Sequence, residues 1–224
     1  MSNEKFFLYG EKEINYLKRR DKKLGMVIDN LGMIRRKVRE DHFEALAMSI
    51  VSQQISRKAA DSIWDRLVDK YSRVSAAVFA DADLDDLRKC GLSQRKSGYI
   101  KGVAEAVVNK VINFEEFTLM SNDEIISKLS SLPGIGVWTA EMLMIFSLQR
   151  PDVVSYGDLA IRRGMRMLYK HRSIDRNLFE KYARRYSPYG TVASLYLWEI
   201  SSGAIPEMRD PAEHPPAHGA GEDT

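Results

Sequence analysis

The sequence predicts an all-α protein, and three observations carry that reading. Apolar residues recur at three- and four-residue steps over most of the chain, as in Phe43, Leu46, Ala47, Ile50 and Val51. No stretch shows the sustained apolar-polar alternation of a half-buried strand. Short glycine-containing or polar breaks, such as Gly91-Leu92-Ser93 and Pro133-Gly134-Ile135-Gly136, separate the periodic segments as helix connections do.

Asp41 stands where a cap is needed for the helix beginning near Phe43, whose composition predicts extensive burial. Further helical patterns run over Ile63–Tyr71, Ile100–Val111, Glu124–Leu132, Val137–Leu148, Leu159–Tyr169, Leu178–Tyr186 and Val192–Ile200. After Ile205 the chain reads PEMRDPAEHPPAHGAGEDT, with little to bury, which predicts a disordered tail over 207–224. His214 and His218 fall in it and read as solvated residues rather than metal ligands.

A chain of 224 residues, 44% of them apolar, can bury one compact core or two small helical lobes sharing a cleft, and should fold alone. The net charge is +3, but Glu207, Asp210, Glu213, Glu222 and Asp223 against Arg209 make the tail acidic and leave +7 over residues 1–206. That surplus suits a polyanionic partner without requiring one. Cys90 is the only cysteine, which excludes an internal disulfide and a cluster held by four cysteines and reads as a reducing compartment. No apolar run approaches the roughly 18 residues of a membrane span, and the opening residues lack a signal peptide's apolar stretch. The expectation is a soluble intracellular protein.

Two stretches invite chemistry. In Leu132-Pro133-Gly134-Ile135-Gly136-Val137-Trp138-Thr139-Ala140, a turn with two glycines precedes a helix, so backbone amides and the positive end of the helix dipole converge where a phosphate can sit. The same turn also reads as an ordinary tight connection in which Ile135 plugs the core. Asp158 directly precedes a helical segment, where an aspartate caps the helix. Capping is compatible with catalysis, because the dipole favours a charged carboxylate at that end.

The segment LPGIGVWTAEML resembles the signature hairpin of the helix-hairpin-helix DNA glycosylases. The likeness continues through DVVSYGDLAI, where that superfamily carries a loop ending in its catalytic aspartate. It also takes in FEALAMSIVSQQISRKAADSIWDRL, similar to the family's early helix and DNA-probing loop, and SPYGTVASLYLWEI near the end. It spans about residues 12 to 200 and is closest to the 3-methyladenine DNA glycosylase II group.

The resemblance implies an all-α, two-lobed helix-hairpin-helix DNA glycosylase fold with its active site in the inter-lobe cleft. One lobe would comprise 1–41 plus 150–206 and the other 42–149, with no room for the extra N-terminal β-rich domain of some relatives. It implies a monomeric base-excision-repair enzyme acting on damaged double-stranded DNA, in the cytoplasm or nucleoid of a prokaryote or the nucleus of a eukaryote. Asp158 would stabilise the oxocarbenium-like transition state and orient the attacking water.

Bifunctional members place a nucleophilic lysine where this chain has Trp138, so no Schiff base and no lyase activity are expected. Trp138, Trp198 and Met142 would line the base pocket, although both tryptophans also read as core residues, as Trp64 does. Met142 stands where an aromatic is sometimes found. Gln54 would wedge into the duplex and Gln53 hold the loop, unless the loop is merely a solvated one. Ser56, Gly134, Ile135, Gly136 and Thr139 would contact DNA. Lys96, Arg162 and Arg163 would meet phosphates, or read equally as solvated helix charges. The resemblance implies no cofactor and no iron-sulfur cluster, with a monovalent cation at the hairpin as the one ion it admits. Two rivals stand beside it: a same-fold glycosylase for hypoxanthine or etheno adducts, and a non-catalytic helix-hairpin-helix DNA-binding protein.

Overall fold

The computed structural model describes residues 4–213. The helices are α1 (Glu11–Arg20), α2 (Lys22–Leu31), α3 (His42–Ser52), α4 (Arg57–Tyr71), α5 (Ala76–Asp81), α6 (Leu84–Lys89), α7 (Gln94–Val108), α8 (Asn122–Ser130), α9 (Val137–Phe146), α10 (Leu159–Tyr169), α11 (Arg176–Tyr186) and α12 (Gly190–Ser201). Among the described residues the only extended pairing is an isolated antiparallel bridge between Phe6 and Lys37. The all-α expectation therefore holds. The chain divides into two units, Met1–Leu8 with Arg35–Val153 and Tyr9–Ile34 with Val154–Thr224.

Most helices start where a short oxygen-bearing side chain satisfies an otherwise unbonded amide. Asp41 accepts from Glu44 N at 3.0 Å, Ser56 from Ala59 N at 3.3 Å and Ser93 from Lys96 N at 3.3 Å. The last two explain why α4 and α7 begin earlier than their apolar periodicity predicts. Four helices escaped the periodicity altogether. α1 is mostly polar, α2 is a single short amphipathic segment, and α5 and α6 have six residues each, too few to show a repeat.

The first unit is built around α3, which packs on α4, α7 and α9, with Leu46 and Ile50 fully buried. The sequence places 1–41 with the segment after residue 150, but backbone pairing puts residues 4–8 and 35–39 here. Phe7 N donates to Arg36 O at 2.8 Å, Val38 N to Lys5 O at 3.0 Å, and Arg39 N to Phe146 O, at the end of α9, at 2.8 Å.

The second unit joins α1, α2, α10, α11 and α12, and its most extensive pairing is α10 on α12. A Cβ at Gly164 of α10 would lie 2.2 Å from the carbonyl oxygen of Leu197 in α12, so the two backbones touch there. Asp21 caps α2 and also accepts from the Tyr169 hydroxyl at 2.6 Å, and Tyr169 and Tyr186 share a 2.7 Å hydrogen bond. Burial raises both phenols well above their ordinary value.

The tail reading meets a correction at Asp210. Its side chain is buried, takes hydrogen bonds from the Arg166 guanidinium and accepts from Ala212 N at 3.1 Å. Composition marks the segment as having little to bury, yet one carboxylate finds two arginines on α10 and fixes it. His214 and His218 lie outside the described residues. No helix among the described residues is long and apolar enough to cross a membrane.

Replacing Gly164 with alanine forces α10 and α12 apart and is expected to lower stability by about 1–3 kcal/mol; an unchanged urea midpoint would refute the backbone contact. Arg166 holds the Asp210 carboxyl below the usual carboxylate range. Its contribution is therefore complete above pH ~4 and fades as the pH falls through the lowered value. Asp210→Asn is expected to cost about 1.5–3 kcal/mol at neutral pH and to flatten the acid limb of the melting-temperature profile.

Candidate active site and nucleic-acid interface

Asp158 occupies the N-cap of α10 with extended backbone, φ −80° and ψ 113°. Its Oδ1 accepts from Ile161 N at 2.9 Å and from Trp198 Nε1 at 3.2 Å, and the residue is 8% exposed. The capping reading of the sequence is thus realised, and the indole of Trp198, delivered from α12, holds the same oxygen. Two donors converging on one oxygen leave the carboxylate little freedom to rotate.

Ahead of the cap, the Tyr156 ring lies 5.0 Å from the guanidinium carbons of both Arg162 and Arg176 and meets Phe179 edge-on. The Arg162 Nε is buried without a hydrogen-bond partner. Arg163, read as a phosphate contact or a solvated helix charge, pairs with Glu213 at 3.0 Å and lies 3.5 Å from Asp210. Its charge is met inside the unit by carboxylates.

In the first unit the hairpin comes after α8 and opens α9. Gly134 has φ +86°, and a Cβ there would sit 2.2 Å from the Tyr99 ring, so both backbone and packing demand glycine. Gly136 differs: its φ is −95° and a Cβ would meet nothing within 4 Å. It caps α9 with no side-chain hydrogen bond, beside the exposed Val137. Ile135 is buried at 4% exposure and its amide donates to Leu132 O at 3.2 Å, so it is the core plug and offers DNA neither side chain nor an open amide.

Between α3 and α4 runs the loop of Gln53, Gln54, Ile55 and Ser56. Gln53 Nε2 donates to Gly134 O at 3.0 Å and approaches Thr139 Oγ1 at 3.4 Å, tying loop to hairpin. Thr139, 3% exposed, therefore works inward rather than toward DNA. Lys96 does the same: its Nζ donates to Val51 O at 2.7 Å and Gln53 O at 2.6 Å, closing the C-terminal end of α3. Burial lowers its pKa. Lys96, read as a phosphate contact or a solvated helix charge, thus holds the loop. Gln54 is exposed in the left-handed region at φ +57°, a conformation that a non-glycine residue adopts only when its surroundings impose it.

Trp138 and Met142 line one cavity of about 670 Å³, together with Met48, Phe146, Arg35 and Arg57. Trp198 belongs to the second unit, beside Asp158. Trp64 packs in the core as read, with Arg39 5.3 Å over its ring. Tyr99, Gly164 and the basic run Arg35–Arg39 went unremarked in the sequence; only the last left a visible signal, as four cations in five residues.

A glycine-cornered hairpin opening one helix and an aspartate capping another are accompanied by a match of residues 47–188 to the model of the HhH-GPD superfamily base excision DNA repair proteins. The chain belongs to this superfamily. It is 35% identical over 185 residues to DNA-3-methyladenine glycosylase 1 of Schizosaccharomyces pombe, a span of 80% of this chain and 81% of the relative. The solved DNA-3-methyladenine glycosidase of Bacillus halodurans superposes with a TM-score of 0.81 at 33% identity, over 93% of this chain and 98% of that one. The solved S. pombe 3-methyladenine DNA glycosylase in complex with abasic DNA gives 0.75 at 33% identity, over 85% and 97%. The HhH-GPD match includes the loop, the hairpin and Asp158, and leaves Arg35–Arg39 and Trp198 outside it.

Lys96→Met leaves the Val51 and Gln53 carbonyls without their donor and is expected to cost about 1–3 kcal/mol. Hydrogen exchange at residues 53–57 should accelerate; unchanged protection there would rule out Lys96 as the loop's anchor.

Proposed function

We propose that this chain is a monofunctional DNA glycosylase that everts alkylated purines, such as 3-methyladenine and 7-methylguanine, from double-stranded DNA and hydrolyses their N-glycosidic bonds, acting as a monomer. The carrying observation is the Asp158 carboxylate, fixed by the Ile161 amide and the Trp198 indole in an HhH-GPD chain.

Breaking the bond from purine to deoxyribose leaves positive charge on the sugar. A carboxylate already oriented stabilises that charge without reorganising as it develops, and can guide the attacking water. An alkylated purine is itself cationic and departs without being protonated, so the protein needs no strong acid beside it. The Trp138 face suits such a base, and a tryptophan at this position forms no Schiff base with the opened sugar.

The remaining parts deliver the nucleotide. Gln54, on a loop pinned by Lys96 and Gln53, is the side chain that enters the stack. Gly136 is bare where the fold does not demand it, which suits close approach of a phosphate to the first amides of α9. Ser56 and Arg162 are the further DNA contacts of this reading. A monovalent cation at the hairpin would be held by main-chain carbonyls, of which that of Gly134 is engaged by Gln53. With Cys90 as the single cysteine, four-thiolate ligation of an iron-sulfur cluster is outside this chain's means.

The test is release of free base from methylated duplex DNA by wild type and Asp158→Asn, with binding to an abasic-site duplex in parallel. Asp158→Asn is expected to lose about a hundred- to a thousandfold in rate with binding retained, and borohydride should trap no adduct. Wild type that releases no alkylated base, or an asparagine variant as fast as wild type, would sink the assignment.

A further inference from the structure

We propose that Arg35 and Arg57 form a phosphate-binding rim on the Trp138 cavity and grip the DNA backbone beside the everted nucleotide; the proposal rests on the glycosylase reading above.

The rim is a fixed wall. The backbone hydrogen bonds of Phe7, Val38 and Arg39 clamp residues 35–39 on both sides, so their side chains project from an ordered segment. Two of its cations are already answered: Lys37 pairs with Glu4, and Arg39 pairs with Glu44. Arg35 and Arg57 form no ion pair among the described residues, and both are exposed. The Arg35 guanidinium lies 4.1 Å over the Phe6 ring. Stacking of that kind fixes the plane of the group while leaving its in-plane N–H donors available, the arrangement that recognises a phosphate in two-pronged fashion.

The cavity between them has two chemistries. Trp138, Met142 and Phe146 give it apolar and aromatic walls, whereas Arg35 and Arg57 make its border cationic. That combination fits a nucleotide better than a free base. A cationic purine alone would be repelled by two unpaired guanidiniums, but a purine entering with its phosphates on the rim brings the counter-charge with it. Arg57 also directly follows the loop that presents Gln54, so one short segment supplies both the wedge and a grip on the strand it parts. Arg35 lies outside residues 47–188, so the superfamily match does not account for it.

The experiment measures binding of the full chain to a duplex with one abasic-site analogue over a range of sodium chloride concentrations. Each lost phosphate contact reduces the steepness of the negative slope of log K against log salt by about 0.9. Arg35→Ala and Arg57→Ala are each expected to show that drop, Arg35→Lys to keep the wild-type slope, and Lys12→Gln on the exposed face of α1 to leave it unchanged. Neutral methylphosphonates flanking the abasic site should abolish the difference between wild type and Arg35→Ala, which a merely structural role would not do. Circular dichroism checks that each variant is folded. Wild-type slopes in both folded alanine variants, or a difference that survives the methylphosphonates, would overturn the rim. Base release by wild type is measured separately: wild type that binds the duplex but releases no base defeats the glycosylase reading, and the reduced slopes of the arginine variants decide the rim independently of it.

Discussion

The position of the Asp158 carboxylate depends on two helices touching backbone to backbone. Gly164 lies further along the helix that Asp158 caps, and Leu197, whose carbonyl it meets, is the neighbour of Trp198. The close crossing brings the indole nitrogen to within hydrogen-bond reach of Oδ1. Any side chain at Gly164 would push α12 outward and take Trp198 with it. A methyl-sized change remote from the carboxylate therefore acts on the group that orients it, and misplacement of about 1 Å is enough to cost a hundredfold in an oriented reaction.

The first unit uses polar pins instead of a close crossing. Lys96 closes the end of α3 through two carbonyls, Gln53 reaches across to the Gly134 carbonyl, and Thr139 shares its amide. A left-handed Gln54 survives between them because both flanks are fixed. The loop is thus held ready at the expense of local backbone strain, and ordering that precedes contact with DNA need not be provided by the contact itself.

The sequence made the hairpin, the helix-capping aspartate and most long helices legible, because each leaves a local signal in spacing or residue type, whereas Trp138 and Trp198 stood out from core tryptophans only through the resemblance. It left two readings open for side chains whose partners lie far along the chain. Lys96 and Arg163 read equally as phosphate contacts or as solvated helix charges, since nothing local reveals that carbonyls of α3 or the carboxylate of Asp210 stand beside them. Ile135 read both as a core plug and, with Thr139, as a hairpin contact to DNA, and both side chains are buried. Asp210 looked like tail for the complementary reason: composition counts what a segment can bury in apolar area and overlooks one well-paired carboxylate. Gly164 left no trace, because an isolated glycine in a helix looks like a mere weakness until its neighbour is known.

The same distinction governs the electrostatics. A surplus of +7 over residues 1–206 is a poor measure of attraction for a polyanion, because much of the positive charge is consumed internally. Arg166 and Arg163 are met by Asp210 and Glu213, Arg185 by the buried Asp21, and Lys96 by backbone oxygens. Charges answered in the folded state contribute little field at the surface and release no counterions when DNA arrives. Arg35 and Arg57, which have no ion pair among the described residues, are not in that class. Attraction for a polyanion depends on where unanswered cations stand, and net charge cannot distinguish them from the rest.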